Sequence, residues 1–547
     1  MILIGTGKEK ITPETKAMRL MGYVQSGHIA NGKETDLFVR VVWIKIKQVS
    51  YCFIHFELLM VSSFLKNAIM ERFKHKTWKR FHINPAHVIV TAQNTHSAPG
   101  GYTHHEVYQF ASEAFHQTYF DLLVNAAIEA ASKAVSRLQH SKMIYSVSAF
   151  DNEQDVAFNR SIDAYNSNDD VTQFEPTETH LAVNRIMRQL KFISEQGIPL
   201  AILNWFGVHG NSMSIKNYKI HSDNKGYAAS LMEQHASIGN DFLALFCNEA
   251  CGDVSPNFNG SASKKWWPRG KFDDDSKSAY FNGFIQFEKA KEMIESNDYD
   301  IEISQNIDVF WGTVKMNGLD IKEIHTESKN KEKTGEAALG LSVLGGNSVD
   351  GEGIDPFNLS VIEFWLTIFN WWRRIPLINS KNARIKNKIQ NKLHGKKKIV
   401  FQASDKKLLG IKRISYIPSF SGYSDDFIEF RERLQNQQNE LVSWLPQSIE
   451  LQMWLFGEVL LVAFPGDITT QASNRLRAAL LSHFETKGKL LVDVIVQSYS
   501  NEYAGYCTTP EEYDQETFEA GFTLFGKYTL AAFKQEFIKL TIENKRP

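Results

Sequence analysis

The chain has 547 residues, 43% of them hydrophobic and 22% charged, with a formal net charge of −1. That length and apolar content suffice for a large buried core, and the balanced charge argues against a polybasic nucleic-acid binder. The 4 cysteines (Cys52, Cys247, Cys251 and Cys507) follow no zinc-finger spacing and are too few for a disulfide scaffold, so they read as reduced thiols.

The amino-terminal segment MILIGTGKEKITPETK reads as a first strand. Its apolar start is too short for the hydrophobic region of a signal peptide, and no small-residue cleavage site follows. No run of about 18 apolar residues occurs anywhere, so no transmembrane helix is expected. The expected location is therefore soluble or peripheral to a membrane, either cytoplasmic or exported without an amino-terminal signal. LFVRVVWIKI and SYCFIHFELLMV, rich in β-branched and aromatic residues, predict adjacent strands. HVIV predicts a strand that ends in the polar turn QNTHSAPGGYTHH, where Pro99, Gly100 and Gly101 hold the loop around His96 open. Residues 107–138 carry Ala and Leu at helical spacing and predict one long helix.

PLAILNWFGVH predicts a buried strand ending in His209, with Gly210 next. A strand end fixes an imidazole ring, and a neighbouring glycine lets a ligand approach, which suits metal binding. DFLALFC predicts another buried strand, followed by NEACGDVSPNFNG. Gly252 permits a tight exit and Pro256 blocks further pairing, so Ser255 is placed on a loop at a strand's carboxyl end. Open α/β sheets put their clefts there. EKAKEMIESNDYD reads as a solvated helix end. SIELQMWLFG and EVLLVAFPG predict a hairpin leading to Asp467. KLLVDVIVQSYS predicts a strand leading to the tyrosine-rich NEYAGYCTTPEEY.

No internal repeat appears. The expected fold class is α/β: a mixed β-sheet core flanked by helices, forming one large catalytic domain over 1–547. Residues 355–400 read as an inserted helical subdomain, strongly aromatic (Trp365, Trp371, Trp372) and then basic, with Arg373, Arg374 and the run KKK. Tryptophans beside cations suit a membrane interface. A buried core helix with a solvated lysine tail explains the same residues.

Several segments, in order, resemble the neutral/alkaline non-lysosomal ceramidases. Residues 93–102 match the family's Thr-His-Thr-His-Ser-Gly-Pro-Gly-Gly-Tyr turn. Residues 205–213 match Trp-Phe-Ala-Val-His-Gly-Thr-Ser-Met, and 222–227 match Gly-Asp-Asn-Lys-Gly-Tyr. Residues 252–257 are identical to Gly-Asp-Val-Ser-Pro-Asn. Residues 465–470 and 506–513 match Pro-Gly-Glu-Phe-Thr-Thr and Tyr-Val-Thr-Thr-x-Glu-Glu-Tyr. Matches are weak over 260–335 and 355–440. The resemblance implies a catalytic domain without the carboxy-terminal immunoglobulin-like module that follows it in the family.

The resemblance also implies hydrolysis of the N-acyl amide of ceramide, or a related N-acyl lipid, to sphingosine and a fatty acid with one zinc ion. Implied metal ligands are His209, Asp467 and Tyr506. Asn94 occupies the family's first zinc-histidine position, and Asp467 stands where the family has a glutamate. Three arrangements stay open at Asn94: His96 as the replacement nitrogen ligand, a weaker site completed by water or preferring a harder metal, or loss of metal and activity. Implied catalytic residues are Ser255, His96 and Arg160. Tyr513, Phe518, Gly100 and Gly101 are implied in substrate binding. Peripheral membrane contact is expected, nucleic acid is not, and the oligomeric state is left open. The alternatives are a catalytically weak lipid-binding homologue and a hydrolase of another acyl amide or ester.

Overall fold

The computed structural model of the chain describes residues 2–543 apart from 15–17, 25–26, 113, 236–240, 260–268, 327, 348, 373–380, 404–405, 413–430, 433 and 436–442. Ile2–Lys10, Phe38–Ile46 and Val49–Phe56 form an antiparallel meander in which alternate positions face two different cores. Val88–Ala92 adds in parallel at one edge (Cys52↔Val88 to Phe56↔Ala92). Gln139–Ala149, Ile186–Ser194 and Pro199–Trp205 continue the sheet antiparallel on the other side, and Leu243–Cys247 closes it in parallel.

A second sheet holds Ile307–Lys315, the hairpin Ser448–Phe456 and Val459–Ala463, and Asp493–Gln497, the last paired in parallel. The two sheets pack face to face. Ile4, Phe53, Tyr145 and Trp205 from one interleave with Trp454, Leu461 and Ile495 from the other, all buried. Helices Gln117–Ser136, Asp223–Gln234 and Asp275–Glu295 cover the outer face of the larger sheet. Thr470–Thr486 and Thr529–Glu543 cover the smaller one. The expected α/β class is observed, with a two-sheet core inside helical layers.

The strand expectations match in position, except that the strand expected to end in His209 stops at Trp205 and leaves His209 on the loop after it, and two helical expectations differ. The single helix expected over 107–138 is two, Glu106–Phe110 and Gln117–Ser136. The chain turns between them to pack Ser112 and His116 over Gly100 and Gly101. The His116 N–H donates to the Gly101 carbonyl at 2.7 Å, and a Cβ on Gly101 (φ +89°) would sit 2.2 Å from the His116 ring. EKAKEMIESNDYD is more than a solvated end: its Ala290 and Met293 are buried, and their carbonyls accept from Gln189 and Lys191 of the large sheet.

Residues 355–400 contribute helices Pro356–Trp372 and Lys381–Leu393. The chain enters and leaves this region through adjacent antiparallel strands, Ala338–Gly340 and Ile399–Gln402. Ile362, Leu366 and Phe369 are buried, whereas Phe357, Phe364 and Trp371, spaced by seven, are exposed. The Arg373 and Arg374 pair lies outside the described residues. Among the described residues, no helix is long and apolar enough to cross a membrane. All four cysteines are buried, and none forms a disulfide.

Candidate active site

Three parallel pairings aim five strand carboxyl ends at one place. Val88–Ala92 delivers Asn94 and His96, Pro199–Trp205 delivers His209, and Leu243–Cys247 delivers Cys251 and Ser255. Val459–Ala463 and Asp493–Gln497 deliver Asp467 and the tyrosines. Short bridges then fix the loops. Asp467 pairs with Tyr506 in parallel, and Val254–Ser255 pairs with Phe158–Asn159, which sets Arg160 beside Asp253. Gly210 and Gly252 permit the close approach: a Cβ there would lie 2.5 Å from the Asn94 carbonyl oxygen and 2.9 Å from the Ile468 carbonyl carbon, respectively.

At the centre, His209 Nδ1 donates to the Cys251 carbonyl at 2.7 Å, which leaves Nε2 as the lone-pair nitrogen, 3.4 Å from the Tyr506 hydroxyl. The Cys251 Sγ is 3.6 Å from Asp467 Oδ1 and 3.4 Å from the Tyr499 hydroxyl. Asp467 also accepts from the Tyr499 hydroxyl, and from Tyr503 at 2.9 Å. Ligand atoms of His209, Cys251 and Asp467 lie within 4.8 Å of one another, all buried.

Burial pushes the Asp467 carboxyl up to about 6 against the pull of the two tyrosine hydroxyls and Arg160. Burial, then Arg160 and His96, hold the His209 imidazole well below its ordinary value, so it is neutral. Neutral imidazole nitrogen, carboxylate, thiol and phenol make a donor set suited to a borderline-soft cation such as zinc. The backbone bond on Nδ1 is the outer contact that usually orients a ligating histidine. These residues fit a metal ion.

Asn94 does not join them. Its backbone is left-handed (φ +76°), its Oδ1 accepts from the Gly210 N–H at 3.2 Å, and its Nδ2 points to the Leu59 carbonyl at 3.5 Å. His96 lies with Nδ1 3.2 Å from the carbonyls of Asn94 and Gly210, and its ring is 5.6 Å from that of His209. Burial lowers the His96 pKa.

A second polar knot adjoins the first. The Ser255 hydroxyl donates to Asp350 Oδ1 at 2.5 Å and accepts from the Asn257 N–H at 3.0 Å. Arg160 donates to Asp350 Oδ2 at 2.8 Å, Glu519 at 2.9 Å, the Gly252 carbonyl at 2.8 Å and the Tyr506 hydroxyl at 3.2 Å. Burial alone raises the Asp350 carboxyl; Arg160 and Arg269 outweigh it and hold Asp350 well below the usual carboxylate range.

Above both knots lies a cavity of ≈ 300 Å³. Asn94, His96, Arg160, His209, Asp350, Asp467 and Tyr506 form its polar end, and Leu59, Val107, Leu339, Val343, Phe401 and Phe522 belong to its apolar walls. Phe518 also lines it, with its ring 5.5 Å from Tyr506. The other expected substrate contacts sit elsewhere. Gly100 and Gly101 face Ser112 and His116, and the Tyr513 hydroxyl donates to the His394 carbonyl at 3.1 Å.

Sequence reasoning missed Asp350 and Arg269; it put Cys251 as a reduced thiol near the active-site strand but not against Asp467. Asp350 lies in the turn-rich run GGNSVDGEG, a cue for a functional loop. Cys251 carried no cue beyond its nearness to Ser255.

A family model described as neutral/alkaline non-lysosomal ceramidase, N-terminal, matches residues 2–408 and 434–535. The neutral ceramidase of Pseudomonas aeruginosa is 26% identical over 540 residues, covering 98% of this chain and 71% of the relative. Neutral ceramidase A of Dictyostelium discoideum is 26% identical over 569 residues, covering 98% and 72%. In fold, the chain resembles a solved ceramidase complexed with C2, with a TM-score of 0.78 at 24% identity, covering 100% of this chain and 76% of that one. The crystal structure of the P. aeruginosa enzyme gives 0.75 at 24% identity, covering 99% and 74%.

Proposed function

Because this chain belongs to the neutral/alkaline non-lysosomal ceramidase family, we propose that it is a zinc-dependent amidohydrolase cleaving ceramide to sphingosine and a free fatty acid. The observation that carries this reading is the convergence of His209, Cys251 and Asp467 within 4.8 Å, under a mostly apolar cavity. His209 Nε2, the Asp467 carboxylate and the Tyr506 oxygen would hold the ion. Bound zinc supplies a Lewis acid and brings its water's pKa to about 7, which answers the weak nucleophilicity of water toward an amide.

The chain's own residues do the rest. The apolar walls take the lipid chains and exclude water. Arg160 presents Nη2 beside the Tyr506 hydroxyl, 3.2 Å apart, so both can face the oxyanion that forms on the acyl carbonyl. Ser255 is held by the ionised Asp350, a weak base at neutral pH, which favours a hydrogen-bonding role over that of an activated nucleophile. His96 is neutral with Nδ1 turned to carbonyl oxygens. Its Nε2 can take a proton and return it to the departing amine.

Residues 355–400 complete the proposal as a membrane-docking segment. Phe357, Phe364 and Trp371 share one exposed face. The basic helix Lys381–Leu393 exposes Ile385 and Ile389 beside Lys388 and Lys392. That combination suits an anionic lipid surface. One observation favours a second reading, a lipid-binding homologue with little turnover: Asn94 is tied to the backbone where the family has a histidine. Release of sphingosine from ceramide by purified protein, with chelator and with zinc restored, separates the two. Chelator-sensitive turnover supports the amidase. Ceramide binding without turnover at any zinc concentration supports the homologue.

A further inference from the structure

We propose that Cys251 is a metal ligand, its thiolate filling the coordination place that Asn94 leaves open. The inference rests on the metal-site reading above and adds a ligand to it. Asn94 is committed through Oδ1 to the Gly210 N–H and has a backbone that aims its side chain at Leu59 and Gly210. The His96 ring, 5.6 Å from His209, is turned with Nδ1 to two carbonyls. Cys251 needs no such movement. Its Sγ is already 3.6 Å from Asp467 Oδ1 and within 4.8 Å of a His209 ring nitrogen.

A tetrahedral ion with a sulfur bond of about 2.3 Å and an oxygen bond of about 2.0 Å spaces those ligand atoms roughly 3.5 Å apart. The sulfur–carboxylate distance fits that spacing as it stands. Cys251 also fixes the His209 tautomer through its own carbonyl, so one residue both orients the imidazole and offers the sulfur beside it.

Charge favours the same assignment. The site is buried, and Arg160 brings a guanidinium to 3.2 Å from the Tyr506 hydroxyl. A dication placed there needs anionic ligands to avoid an uncompensated buried charge. Asp467 supplies one negative charge, and the Cys251 thiolate supplies the second. On binding, the S–H bond breaks, the proton leaves to solvent and the sulfur pair forms the metal bond, with no redox change. Zinc accepts such mixed nitrogen, oxygen and sulfur sets.

The test is cobalt(II) titration of the metal-free full chain, read by absorption, with zinc(II) competition for affinity. The wild-type protein is expected to show a thiolate-to-cobalt charge-transfer band in the near ultraviolet. Cys251→Ser should lose that band and weaken zinc binding by more than about tenfold. Cys507→Ser, a control at the neighbouring buried thiol, should keep the band. Asn94→His added to Cys251→Ser should recover zinc affinity without the band. Cobalt bound to wild type with no thiolate band overturns the inference and leaves the zinc amidase standing, as does Cys251→Ser with unchanged affinity. No metal bound to the wild type overturns both.

Discussion

Asp350→Asn is the most informative single change. The Asp350 carboxylate accepts from Ser255 at 2.5 Å, Asn257 Nδ2 at 2.7 Å and Arg160 at 2.8 Å, and the side chains of Asp350 and Arg160 are 5% and 3% exposed. Asparagine keeps the shape but turns one acceptor oxygen into an NH2 facing those donors. The loss of one charge-assisted bond to Arg160 costs about 1.5–3 kcal/mol, and outright breakage of a buried pair costs about 3–5 kcal/mol. Glu519 still holds Arg160, so we place the stability loss near the lower range, about 2 kcal/mol.

Misplacing Arg160 and Ser255 together should reduce kcat/KM by about 100-fold, the lower range for losing an oxyanion donor. Because the folded Asp350 carboxyl lies below its unfolded value, its contribution is complete above the ordinary carboxylate range. It is lost only as pH falls through the folded value. The stability gap between wild type and variant should therefore stay flat from pH 8 to 5. Chemical unfolding across pH, together with ceramide turnover, checks this. A variant within about 0.5 kcal/mol of wild type and within twofold in turnover would refute the proposed knot.

Other perturbations separate the remaining parts of the account. Asp467→Ala should remove bound metal and ceramide turnover while Tyr499 and Tyr503 lose their shared acceptor; metal content by elemental analysis reads the outcome. Lys225 is buried and its pKa is pushed down to about 8 by burial, so its stability contribution is complete above the unfolded value and lost as pH falls through about 8. Wild type should gain about 2 kcal/mol from this group between pH 7 and 9.5, a slope that Lys225→Met removes in unfolding titrations. Replacing Phe357, Phe364 and Trp371 together by serine should weaken cosedimentation with anionic vesicles while leaving turnover of a short-chain, water-soluble ceramide unchanged.

The sequence revealed what is local. Strands such as Phe38–Ile46 and Leu243–Cys247 declare themselves by β-branched and aromatic runs. Loops holding His209 and Ser255 declare themselves by glycine and proline at strand ends. Family motifs placed His209, Asp467, Tyr506 and Arg160, and the structure brings these four to one cavity. What was not legible depends on distant contacts. The break between Glu106–Phe110 and Gln117–Ser136 lies where Ser112 and His116 pack against Gly100 and Gly101, and helical spacing says nothing about what packs outside the helix. Asp350 reaches Ser255 across 95 positions, and Cys251 reaches Asp467 across 216. Neither pairing leaves a periodic trace. Tyr513 shows the reverse case: its motif position suggested substrate contact, while its hydroxyl bonds the His394 carbonyl.

Anomalous diffraction at the zinc edge, from crystals of the zinc-loaded protein, tests the central claim most directly. One strong peak bonded to His209 Nε2 and Asp467, with Tyr506 adjoining, is the predicted result. A peak at another place, or none at full zinc loading, would contradict it.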